Sequence, residues 1–97
     1  MEAKLITSQL REAVLHFIYQ ARNASNETGE QNAILRAQGA IEAFLRVASS
    51  DNRYIDAQLE IGDAVDCLKA AHRRESATGI REMLSAAEIL INKVVLF

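Results

Sequence analysis

The chain contains no proline and only one cysteine, and its acidic and basic side chains nearly cancel. Without proline, no helix interior loses an amide donor or meets a ring clash, and the abundance of Ala, Leu, Ile, Glu and Arg suits long helices joined by short turns. A lone Cys67 cannot close an intrachain disulfide. Eleven basic against thirteen acidic residues leave a net charge of −2, which gives no electrostatic reason to expect a nucleic-acid or anionic-membrane ligand. No apolar run reaches the roughly 20 residues of a membrane span, since Glu88 and Lys93 interrupt the most apolar stretch. The first residues lack the apolar core of a secretory signal, so the expected compartment is the cytoplasm. The two Asn-x-Ser/Thr triplets at Asn23 and Asn26 are accordingly read as turn residues rather than glycosylation sites.

Chemical signatures are also missing. There is no serine-nucleophile motif, no zinc-type Cys/His spacing and no phosphate-cradling glycine loop. The Glu-x-x-His pair of di-iron bundles is absent too, because Ala13 precedes His16 by three residues and Lys69 precedes His72 by three. No cofactor is expected on these grounds.

What is present is apolar periodicity. At 100° per residue, Ile80, Met83, Leu84, Ala87, Leu90, Ile91, Val94 and Val95 form one stripe, wide enough for the buried side of a C-terminal helix. Ile89, Leu96 and Phe97 fall off it. A first helix is predicted from a cap at Thr7 or Ser8 to about Ala24, with Ile6, Leu10, Ala13, Val14, Phe17, Ile18 and Ala21 inward. Leu15 and Tyr19 lie on its other side, and His16 stands on its polar face as a solvated side chain. Thr28 to Gln31 reads as a capping box opening a second helix to about Ala48, with Ile34, Ala37, Ile41, Phe44, Leu45 and Ala48 inward. A third helix is predicted from Arg53 to Arg73 with Tyr54, Ala57, Ile61, Ala64, Val65, Leu68 and His72 inward. The sum is a single all-α domain over 1–97, an antiparallel four-helix arrangement of two helical hairpins, expected to be dimeric. A chain of this length buries about 60 to 70% of its unfolded surface and needs no metal or disulfide staple.

Three groups of residues are candidates for function. Leu15, Tyr19, Ile89, Leu96 and Phe97 exceed what four inward stripes need, and each large apolar side chain left in water costs roughly 1.5 to 3 kcal/mol relative to burial. They predict an interface with a second copy, and with another protein, as in an adaptor or inhibitor. His72, Arg73 and Arg74 suit the negative end of the third helix dipole; alternatively Arg73 and Arg74 form an anion or nucleic-acid site with Arg81 across the Glu75 to Gly79 turn. Asp56, Glu60 and Asp63 form an acidic ridge that Cys67 continues, where nearby negative charge discourages the thiolate.

That ridge contains Glu60-Ile-Gly-Asp63 followed by Ala64 and Val65, which resembles the Glu-x-x-Asp helix of the MazG-like all-α nucleoside triphosphate pyrophosphohydrolases. The resemblance implies Mg²⁺ held by Glu42, Glu60 and Asp63 against substrate phosphates. Of the family's upstream Glu-Glu-x-x-Glu pattern, Gln38-Gly-Ala-Ile-Glu42 keeps only Glu42, and the likeness covers about a third of the chain. By themselves the same residues read as a solvated acidic ridge. A six-residue stretch, Arg53 to Ala57 with Glu60, resembles a segment of the TraM quorum-sensing antiactivators, small helical dimers that bind a transcription factor.

Overall fold

A computed structural model describes residues 2–73 and 77–97. Among the described residues the chain is all-helical, with α1 (Glu2–Arg22), α2 (Glu27–Ser49), a 3-10 turn (Asn52–Tyr54), α3 (Ala57–Arg73) and α4 (Ala77–Lys93), and no strand. The arrangement measures 39 × 20 × 17 Å, a length consistent with α2, whose 23 residues alone span about 35 Å at 1.5 Å per residue. The closest packing is α1 on α2 and α3 on α4, with α2 against α3 joining the pairs and a looser contact between α1 and α4. One core cluster draws from all four helices. It is filled by Val14, Ile18, Ile34, Ile41, Phe44, Ile61, Leu68, Leu84 and Ile91, while Ala37, Ala48, Ala64 and Ala87 allow the helix axes to approach.

The predicted stripes survive with shifts that have identifiable causes. α1 begins at Glu2, not at a Thr7 or Ser8 cap. Thr7 lies seven residues before Val14, on the inward line of Val14, Ile18 and Ala21, and is 1% exposed. A polar residue occupies a core position there, and Ile6, expected inward, is turned outward. α2 opens two residues before the predicted Gly29. Its cap is Asn26, in extended backbone, whose side-chain oxygen accepts the Gly29 N–H at 2.7 Å, so the Thr28 capping box does not form the helix start. Glu27 and Glu30 then lie in the first turn, where carboxylates favour the helix dipole.

The third predicted helix is broken. Asp51 caps the 3-10 turn by accepting the Arg53 N–H at 3.0 Å, and α3 starts only at Ala57. His72, expected inward, is exposed, and Ala71 takes the buried position. α4 ends at Lys93, so Val95 leaves the stripe and stands 68% exposed. Val94 remains buried and its carbonyl accepts Arg11 Nη1 at 2.9 Å.

Candidate functional site

Chemistry-bearing side chains converge at the end of the molecule where the α2–α3 connection, the start of α1 and the C-terminal residues meet. Tyr54 organises this end. Its ring is 1% exposed; its hydroxyl donates to Thr7 Oγ1 at 3.3 Å and accepts the Phe97 N–H at 2.8 Å. The Phe97 ring meets the Tyr54 ring edge-on, with centroids 5.2 Å apart and planes at 84°, an arrangement favoured by the ring quadrupoles. On the Phe97 face lies the Arg53 guanidinium, 5.6 Å from the ring centroid, close enough for a cation–π contact. Arg53 is itself held by Asp51, through Nη2 to Oδ2 at 2.7 Å and Nε to Oδ1 at 3.1 Å. This doubly bonded guanidinium, together with the Arg53 backbone N–H, holds the Asp51 carboxyl below the usual carboxylate range.

Beside this assembly α3 and the C-terminal segment form a groove of about 240 Å³. It is lined by Ala57, Val95 and Phe97 together with two cations, Arg53 and Lys93, and two anions, Asp56 and Glu60. Asp56, Glu60 and Lys93 hold no side-chain hydrogen bond or ion pair with another described residue. Ile55, in the turn before α3, and Leu59, in its first turn, are largely exposed.

The sequence-derived candidates separate in space and surroundings. Glu60 lines the groove, Glu42 and Asp63 are exposed, and no group of three or more His, Cys, Asp or Glu among the described residues is placed to hold a metal ion. Glu42, Glu60 and Asp63 are thus not brought together as a set of metal ligands. Cys67 is half-buried, and burial first, then the Asp63 and Asp66 charges, push its thiol up, so burial outweighs the ridge in keeping it protonated. Arg74 and the side chain of Arg73 lie outside the described residues. Arg81 lies on α4 next to Glu82, along an open face that continues through Ser85 to Ile89.

Of the five apolar candidates, Tyr19, Ile89 and Phe97 are exposed, whereas Leu15 and Leu96 are half-buried against the core. Leu15 is less open than expected because Arg11, Leu15 and Arg22 share one line along α1, and that line faces α4. Arg11 reaches the Val94 carbonyl, and Arg22 bonds Ser85 Oγ and the Glu88 carboxylate, the latter at 3.1 Å. Phe97 is only partly free, being pinned through Tyr54. Sequence patterning missed Arg53, Lys93 and Val95 as site residues. Their meeting depends on where α4 ends against the start of α3, for which the chain carries no local signal.

Comparison with protein-family models, with curated proteins and with solved structures finds no match to this chain.

Proposed function

We propose that this is a cytoplasmic helical module that acts by protein contacts, pairing with a second copy of itself and engaging another protein as an adaptor or inhibitor does. The observation that carries this is apolar surface left over after the core is complete. Among the described residues, twenty buried hydrophobic ones fill the interior, yet Tyr19, Leu35, Ile55, Leu59, Ile89, Val95 and Phe97 remain between 42% and 73% exposed. Large apolar side chains grouped on a small protein mark contact sites more often than isolated ones do. Covering them with a partner is favourable by roughly 25 cal/mol per Å² of apolar area removed from water.

The antiparallel arrangement of two helical hairpins belongs to the same proposal. It is supported by ties whose numbering runs in opposite senses: Arg22 to Glu88 and Arg11 to Val94 between α1 and α4, Gln38 to Leu68 and Gln58 to Ala48 between α2 and α3. In such a bundle the outward faces of α3 and α4 offer continuous surfaces for a partner helix.

Light scattering on the intact chain at tens of micromolar tests the self-association. A dimer or higher mass is expected; a monomer mass at every concentration would overturn it.

A further inference from the structure

We infer that residues 95–97 form a strap, hinged at Val94 and clamped by Arg11, that opens as one unit while the four helices stay folded, and that the groove beside α3 is complete only when the strap is closed. This concerns a single chain and does not depend on the self-association proposed above. The strap begins where α4 ends, since Lys93 is the last helical residue and 94–97 carry no regular structure. Among the described residues no backbone-to-backbone bond ties 95–97 to another element. What holds the segment is side chains from distant parts of the chain. The Phe97 N–H donates to the Tyr54 hydroxyl at 2.8 Å, and the Phe97 ring stands against the Tyr54 edge and the Arg53 guanidinium.

Val94 has the geometry of a hinge. Its side chain is buried in the core cluster and its N–H still donates to the Ile91 carbonyl at 3.3 Å, so the residue stays with α4. Its carbonyl, by contrast, accepts Arg11 Nη1 from α1 at 2.9 Å. Because the peptide group is planar, the torsion that orients this carbonyl also sets the direction in which residue 95 leaves. Arg11 therefore fixes the exit of the strap, and the Tyr54 hydroxyl fixes its far end. Between the two, Val95 is 68% exposed and Leu96 is half-buried. A segment with few buried contacts and side-chain fastenings at each end opens at lower cost than helices anchored by residues such as Leu84 and Ile91. Opening removes Val95 and Phe97 from the groove lining and uncovers Tyr54, whose ring is otherwise 1% exposed.

Native-state amide exchange of the full chain, read by NMR across low urea concentrations, tests the strap. The Ile41 amide, inside α2 and beside the core, reports unfolding of the helices. Phe97 exchange is expected to be nearly independent of urea while Ile41 exchange rises with it. Two variants loosen opposite ends. Tyr54→Phe removes the oxygen that accepts the Phe97 N–H, and Arg11→Met removes the clamp on Val94 while keeping an apolar stem. Each is expected to speed Phe97 exchange by about two- to tenfold. Ile41 exchange in the same samples separates a loosened strap from a general loss of stability. Phe97 exchange that rises with urea in parallel with Ile41 overturns the proposal, because the segment then opens only when the whole chain unfolds. Arg11→Met exchange at Phe97 equal to wild type also overturns it, because Phe97 then frays alone and Val94 is no hinge.

Discussion

Replacing Tyr54 by phenylalanine removes one oxygen atom and leaves the buried ring in place. That oxygen makes two bonds, donating to Thr7 Oγ1 at 3.3 Å and accepting the Phe97 N–H at 2.8 Å. A typical intramolecular hydrogen bond contributes about 0.5 to 1.5 kcal/mol net. The first is long and fully buried; the second is short and part-buried, and its freed amide can turn to water. Tyr54→Phe should therefore destabilise by about 1 to 2.5 kcal/mol. For a domain of this size that lowers Tm by roughly 5 to 15 °C. Urea denaturation at fixed protein concentration should show a lower midpoint with an unchanged m value, since the surface exposed on unfolding is the same. Thr7→Val separates the two bonds. Coupling between Thr7 and Tyr54 in a double-mutant cycle should be about 0.5 to 1 kcal/mol. Hydrogen exchange at the Phe97 amide should accelerate in Tyr54→Phe and stay slow in Thr7→Val. A Tyr54→Phe variant within about 0.3 kcal/mol of wild type, with Phe97 exchange unchanged, would refute the placement of Tyr54 as the anchor of this end.

Further expectations follow from local geometry. A Cβ built at Gly39 or Gly62 meets no atom within 4 Å, and both lie inside helices, so Gly39→Ala and Gly62→Ala should each stabilise by about 0.5 to 1 kcal/mol in chemical denaturation. Asn26→Ala should cost about 1 kcal/mol and Thr28→Ala much less, because Asn26 holds the cap; the reverse order would restore the capping box. The Asp51 carboxyl is held below its ordinary value by Arg53, so its stabilising contribution is present at neutral pH and is lost as pH falls through the lowered folded-state value. Asp51→Asn should flatten the acid limb of the stability–pH curve, and an unchanged limb would remove Asp51 from the account. Cys67, with its thiol pushed up by burial and by Asp63 and Asp66, should react with a thiol probe more slowly than free cysteine at neutral pH.

The helices were legible because their inward residues recur at the helical period: Ile34, Ala37, Ile41, Phe44 and Ala48 stand where the pattern placed them. The misplacements share one cause, a polar or small residue whose role is decided by tertiary contact. Thr7 resembles a cap in sequence and is a core residue because Tyr54 reaches it from 47 positions away. Asn26 outcompetes Thr28 because its extended backbone aims the side chain at Gly29, which composition does not encode. The apolar excess was also legible, but its distribution was not. Leu15 turns toward α4 and is half-buried, while Val95, placed inward by the pattern, stands 68% exposed. The acidic ridge reads from its own spacing as a solvated face, and its residues form no group of three or more placed to hold a metal ion.

Folding and pairing are linked if the exposed apolar groups are covered by a second copy, since a dimer binds the folded state and not the unfolded one. The most direct measurement is the melting temperature of the intact chain across about a hundredfold range of concentration. Tm should climb steadily with the logarithm of concentration. A Tm that stays constant across that range, with the mass of a single chain throughout, would contradict the account.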